Sequence, residues 1–325
     1  MTPRVKVLYI LGRGRSGSTV LDNILGDIDG FFSTGELRKI WFRVDQPTGR
    51  CGCNKLFAEC EVWGQMGARS FGAPGSMPTR EVLSLMRRVT RIRNVGKLLR
   101  SPIGGSSEWP ELRRYLGVLL GLYGTLADIT RSRVIIDSSK DTAEGAAIRL
   151  VPDIDAYYLH LVRDPRAVAY SWQRIKHMPD LEADIPNLSV RRSAIRWNVI
   201  NLQAEAIRRR HDPNKFMRLR YEDMVAFPRP AIEAVARMVG EPAEGIPWID
   251  ECTVEGSVKH FVGGNPDRFR VGPITLKEDD EWLTKLSKPD RISTTAVTMP
   301  IMLRYGYPLR ARKPKVAPIA AGDSA

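Results

Sequence analysis

The chain has 325 residues, 43% of them hydrophobic and 27% charged, an ordinary globular composition with enough length to bury a sizeable core. Its net charge of +13 raises the local concentration of anionic ligands; nucleic acid, an anionic membrane surface, a phosphorylated cofactor and an acidic acceptor all fit, and so does a simply arginine-rich composition. The apolar run Val7 to Leu11 is too short for a signal-peptide core, no stretch approaches the about 20 apolar residues that span a bilayer, and four cysteines are too few for a disulfide scaffold, so a cytoplasmic protein is expected.

In chain order, Val5 to Leu11 reads as a buried strand. A glycine-rich loop follows, and a helix opens at Ser18 with Val20, Leu21, Ile24 and Leu25 on its apolar side. From Gln46 to Arg131 the rhythm changes to Gly/Pro-rich loops and two amphipathic helices, about Thr79 to Arg100 and Glu111 to Arg131. This reads as an insertion (46–131) that forms a lid or acceptor-binding wall. Arg133 to Asp137 is a second strand and Ala156 to Val162 a third, with a helix opening at Pro165. Phe216 to Tyr221 is a fourth, with a helix from near Pro230. Strands alternating with helices predict an α/β fold, a three-layer P-loop-like domain over residues 1–310 with a mostly parallel sheet. The small, polar, Pro-containing stretch 311–325 predicts a disordered tail.

The segment Gly12 to Thr19 lies between strand and helix, where unpaired N–H groups and the positive end of the helix dipole meet a ligand. The spacing nearly matches a P-loop, a Gly, four residues, then Gly-Lys-Ser/Thr. Here the lysine position holds Ser18, which argues against triphosphate hydrolysis. Arg15 places a positive charge earlier, beside the hydroxyls of Ser16, Ser18 and Thr19. Downstream, Arg163 closes a strand and Ser171 lies on the next helix, a second pairing of arginine and hydroxyl, read as separate from the loop. A nucleotide with phosphates on both ends of its ribose needs such a second site.

These motifs resemble the PAPS-dependent sulfotransferases (PAPS is 3′-phosphoadenosine 5′-phosphosulfate). The family's phosphosulfate loop corresponds to Arg15-Ser16-Gly17-Ser18-Thr19, its 3′-phosphate motif to Arg163 and Ser171, and its Tyr-Glu-Asp motif near the adenine pocket to Tyr221-Glu222-Asp223 with Pro228 after it. The resemblance covers about Val5 to Gly240, and the closing HFVGGNPDRFR and YGYPL look like a bacterial group of the family. It implies sulfuryl transfer to a hydroxyl or amine, with Gly14 to Thr19, Arg163, Ser171 and Tyr221 holding PAPS, and 3′,5′-bisphosphoadenosine as product. Arg268 is expected to reach the 3′-phosphate from a C-terminal loop. The catalytic histidine of relatives that act on small phenols has no counterpart in IIDSSKD. Tyrosylprotein and several carbohydrate members instead carry a glutamate in a Gly-Glu context, which here is Glu36. Lys140 corresponds to their Lys-Asp and is assigned to the sulfuryl or bridging oxygen, with Arg15 as the third catalytic group. Asp137 orients Lys140 or Arg15, or caps its strand.

The chemistry requires no metal. Cys51, Cys53 and Cys60 form a C-x-C-x6-C cluster whose spacing misses the usual zinc knuckles, so structural or redox-silent thiols are expected over zinc with a fourth ligand or a disulfide. His160 reads as a core residue, and His177, His211 and His260 lack a partner pattern. The basic helix 79–100 reads as a solvated face over a core stripe, with peripheral membrane contact as the other reading. A kinase on the same fold would need the missing lysine and Mg²⁺ ligands. A nucleic-acid binder would interleave basic and aromatic residues, and the chain does not. The acceptor, whether carbohydrate, glycolipid, peptide or small metabolite, is left open.

Overall fold

The computed structural model describes residues 5–43, 46, 48–71, 76–175, 177–178, 183–184, 187–313 and 315–316. Five parallel strands form the central sheet: β1 (Val5–Leu11), β2 (Phe31–Ser33), β3 (Val134–Asp137), β4 (Ile154–Val162) and β7 (Phe216–Arg220), in the order β2-β3-β1-β4-β7. Two small antiparallel pairs lie outside it, β5 (His177–Met178) with β6 (Ala183–Asp184), and β8 (Thr253–Gly256) with β9 (Gly272–Thr275). Four of the sheet strands are those expected from sequence. β2 is not among them, because three residues carry too little pattern to mark a strand. The stretch 317–325 of the expected tail lies outside the described residues.

β1 shows why the fold has three layers. Side chains alternate across a strand. Val7, Tyr9 and Leu11 face one cluster, with Ala143, Ala147 and Ile148 of the helix Thr142–Ile148. Leu8 and Ile10 face the other, with Leu21, Ile24 and Leu25 of the helix Ser18–Leu25 and Ile232 and Val235 of the helix Pro228–Met238. All five β1 side chains are fully buried, as a central parallel strand requires.

The inserted segment falls between β2 and β3. Its helices Thr79–Val89 and Pro110–Thr130 bring Leu85, Met86, Leu119 and Tyr123 into the first cluster, so it packs as part of that layer. The basic stretch differs from the single helix expected. It runs as Thr79–Val89, a 3-10 turn Ile92–Asn94 and a second helix Val95–Arg100. The break has a capping cause: the Asn94 amide donates back to the carbonyls of Arg88 (2.8 Å) and Val89 (2.9 Å), satisfying the last turn of the first helix. Ile92, in the 3-10 turn, is 58% exposed as a result. Among the described residues no helix is long and apolar enough to cross a membrane.

Candidate active site

The glycine loop follows β1 at the carboxyl edge of the sheet, where open α/β sheets bind ligands. Two of its glycines are required by close approach. A Cβ on Gly12, at φ +127°, would lie 2.1 Å from the Leu161 carbonyl oxygen of β4, and one on Gly17, at φ +88°, would lie 2.5 Å from the Tyr221 ring. Gly17 caps the helix Ser18–Leu25 in a left-handed conformation, so Ser18 and Thr19 form the helix's first turn. Ser16 Oγ is buried with no hydrogen-bond partner among the described residues.

Two guanidinium groups flank the loop. Arg13 and Arg15 lie 4.5 and 5.1 Å from the Trp172 ring centre, and Trp172 Nε1 donates to the Gly14 carbonyl at 3.1 Å. Burial, with Arg196 and Arg15 nearby, pulls Arg13 down to about 10, and its Nε and Nη2 have no hydrogen-bond partner among the described residues. Burial and Arg174 lower Arg15 as well, against the opposing charges of Asp267 and Glu36. Cations held together out of water in this way favour a bound anion. Arg13 and Trp172 were not singled out from sequence, since an arginine outside the matched motif and an aromatic on a helix carry no distinctive local pattern.

Arg163 makes direct contact with the loop. Its Nη1 donates to the Arg15 carbonyl at 3.0 Å, its guanidinium pairs with Asp279 at 2.9 Å, and it stacks 4.4 Å from the Tyr221 ring centre. The strand end thus braces the loop directly. Ser171 is buried on the helix Pro165–Gln173. That helix is fixed by Asp164, which caps it and forms a buried pair with Arg166 at 2.6 Å, while Arg166 also holds the carbonyls of Pro308 and Leu309 in YGYPL. Glu222 accepts from the Asp164 amide at 3.0 Å and from Tyr307 at 2.8 Å, so the middle of the Tyr-Glu-Asp motif ties three segments together. Arg268 is buried in the turn Pro266–Phe269, with Nη1 donating to the Gly264 carbonyl at 3.2 Å; that turn packs on the helix Ser18–Leu25.

Glu36 and Lys140 meet at the ends of neighbouring strands. Gly35 continues β2 at φ +65°, where a Cβ would lie 2.5 Å from the Gly263 carbonyl oxygen, so glycine admits the segment 261–263 alongside it. Glu36 accepts from Lys140 at 3.0 Å through one carboxylate oxygen and from Lys39 at 2.5 Å through the other. Burial pushes this carboxyl up, but Lys140 and Lys39 outweigh it and hold the group at about 2. Lys140 has φ +63° and also donates to the Ser138 carbonyl. Asp137 accepts from the Ser139 amide at 2.8 Å, from Ser139 Oγ at 2.5 Å and from Tyr123 at 2.7 Å. Its hydrogen bonds cap the strand end and shape the turn that presents Lys140.

Two residues around this pair were not anticipated. Arg38 pairs with Asp141 at 2.5 Å and donates to Thr90 Oγ1 at 2.9 Å, tying the inserted helix to the turn that carries Glu36. Asp22 accepts from Ser33 and from Ser138 (2.5 Å), joining the loop helix to the ends of β2 and β3. Burial raises its carboxyl to about 7. Neither stands in a local motif, since each partner is distant in sequence.

Residues 135–245 match the family model described as the sulfotransferase family. That segment is similar to the sulfotransferase family. The matched segment includes Lys140, Arg163, Ser171 and Tyr221 and leaves the glycine loop outside it. Two solved sulfotransferase domains share the fold over nearly the whole chain. One comes from the olefin synthase of Synechococcus PCC 7002, at 18% identity and TM-score 0.50, covering 93% of this chain and 96% of that one. The other comes from the curacin biosynthetic pathway, at 18% identity and TM-score 0.51, covering 94% and 100%. No curated protein matches the chain.

Proposed function

We propose that this chain is a sulfotransferase that uses PAPS as donor, with Glu36 as general base toward an acceptor hydroxyl or amine. The observation that carries the donor reading is the loop itself. A buried Ser16 Oγ without a partner among the described residues stands just before a helix N-terminus, in the same loop as the guanidinium groups of Arg13 and Arg15 that gather at Trp172. Those donors suit a phosphosulfate, and Ser18 in place of a lysine suits a donor other than a triphosphate. Arg163, Ser171, Tyr221 and Arg268 are assigned to the rest of the nucleotide by their correspondence to the family motifs.

In the transfer, the acceptor oxygen forms a bond to sulfur while the bond from sulfur to the bridging oxygen breaks. The electron pair leaves on the 5′-phosphate of 3′,5′-bisphosphoadenosine, and the acceptor proton passes to the Glu36 carboxylate. Lys140 links the two ends of this exchange. It neutralises Glu36 at rest, and as negative charge grows on the bridging oxygen it turns toward that oxygen. Glu36 then loses one of its two cations and becomes a stronger base when the proton must move. The acceptor class is carbohydrate, glycolipid, peptide or small metabolite. The exposed basic face of Arg80, Arg87, Arg88, Arg91, Arg93, Lys97 and Arg100 suits an acidic or membrane-borne one.

Calorimetric titration tests the donor. 3′,5′-bisphosphoadenosine is expected to bind without Mg²⁺ and more tightly than ATP. Tight Mg²⁺-dependent ATP binding with no bisphosphate binding would overturn the proposal.

A further inference from the structure

The fold gathers Cys51, Cys53 and Cys60 with His260, and their ligand atoms all lie within 4.8 Å of one another. His260, which the sequence left without a partner, arrives from the far end of the chain. Cys60 Sγ lies 3.6 Å from Cys51 Sγ and 3.2 Å from His260 Nδ1, and Cys51 Sγ lies 3.8 Å from the same nitrogen. A tetrahedral zinc with three thiolates and one imidazole has ligand-to-ligand edges of about 3.6–3.8 Å, from Zn–S of about 2.3 Å and Zn–N of about 2.0–2.1 Å. We propose that these four side chains bind one structural Zn²⁺ through three sulfurs and His260 Nδ1.

The surroundings support a metal over four idle thiol and imidazole groups. The other imidazole nitrogen, Nε2, faces Glu61 Oε1 at 3.1 Å, the carboxylate partner that orients metal-bound histidines. Main-chain amides donate toward each sulfur: Cys53 to Cys51, Lys55 to Cys53, and Val62 and Trp63 to Cys60. Such amide donors stabilise clustered thiolates. The backbone is also shaped for it. The Arg50–Leu56 bridge and the Asn54 amide bond to the Cys51 carbonyl (2.8 Å) close a tight turn around Cys51 and Cys53, with Asn54 at φ +65°. Gly52 is needed for contact: a Cβ there would lie 2.6 Å from the Lys259 carbonyl oxygen, and its amide donates to the Phe261 carbonyl at 2.9 Å. The glycine of Cys-Gly-Cys thus lets the cysteine turn reach the extended segment that carries His260.

The metal clips the start of the inserted segment to residues 259–263. That segment continues into the Val262 amide bond to the Thr34 carbonyl (2.8 Å) and the Glu36 amide bond to the Gly263 carbonyl (3.1 Å). Zinc therefore holds the segment against which the Glu36 turn is built. The site itself stands independently of the proposed donor and base.

The test uses full-length protein purified without chelators from zinc-supplemented medium. Elemental analysis is expected to give about one zinc per chain, and cobalt replacement an intense thiolate-to-metal band with tetrahedral d–d absorption. Cys252 lies outside the cluster, so one thiol should react readily with a thiol reagent before metal removal and all four after it. Removal should lower the thermal midpoint by ~5 °C or more. Glu61 is exposed, so Glu61→Gln should fold normally and weaken zinc affinity ~10-fold. Protein with less than ~0.1 zinc per chain, no cobalt thiolate band and four freely reacting thiols would overturn the site. A Cys51–Cys60 disulfide found by mass spectrometry would overturn it too.

Discussion

Lys140 Nζ lies 3.0 Å from Glu36 Oε1, joining the turn after β3 to the turn after β2 beside the glycine loop. The contact gives the carboxylate two opposite tendencies. Burial makes it a better base, and the two lysines make it a weaker one.

Glu36→Gln is expected to lower kcat ~10²–10⁴-fold, the usual contribution of a general base. The amide keeps shape and hydrogen bonding, so affinity for 3′,5′-bisphosphoadenosine should stay within about 3-fold by calorimetry. Turnover close to the parent's would remove Glu36 as the base.

Lys140→Ala takes away the strongest single charge that lowers Glu36. With less positive charge nearby, the carboxyl protonates more readily, so its value rises from about 2. The acid limb of kcat/KM should move to higher pH by ~1 unit, together with a lower plateau. A pH–rate profile that drops in height without moving its acid limb would contradict the coupling.

Gly17→Ala places a methyl against the Tyr221 ring in a left-handed backbone conformation. The strain costs about 1–3 kcal/mol, which for a chain of this length lowers the thermal midpoint by ~2–6 °C. Bisphosphate affinity should fall at least ~10-fold, because the helix N-terminus and the loop move apart. Calorimetry and a melting curve on one preparation check both.

Asp22 offers a stability test that needs no substrate. Burial first, against the hydrogen bonds from Ser138 and Ser33, raises its folded value to about 7. A carboxyl raised on folding binds its proton more tightly in the native state, so its stabilising share is full below about pH 4. It is lost as pH rises through about 7, at up to ~1.4 kcal/mol per pH unit. Asp22→Asn cannot titrate. Urea midpoints between pH 4 and 7 should therefore decline less steeply in the variant than in the parent. The decline will not vanish, because burial also raises Glu144, to about 8. Equal slopes would show that Asp22 is ionised in the folded protein.

Much of the sheet was legible because its signals are short-range. β1, β3, β4 and β7 announce themselves as apolar runs, and Gly12 to Thr19 as a glycine loop between strand and helix. The limits were also local. β2 is three residues long, and the basic helix breaks at a cap made by Asn94 that periodicity does not encode. The Arg163 guanidinium also reaches the Arg15 carbonyl, a contact between segments far apart in sequence that no local pattern marks.

What the sequence by itself determined was the α/β alternation and which residue types stand at which turn, since strand burial, glycine conformation and helix N-termini act over a few neighbouring residues. The tertiary structure alone decided which of those turns meet. It paired Glu36 with Lys140 and thereby set the carboxyl's acidity, and it hung the inserted helix on Arg38. It also brought His260 to three cysteines some 200 positions earlier. These outcomes depend on charge and coordination across packed elements, where distance in space is independent of distance along the chain.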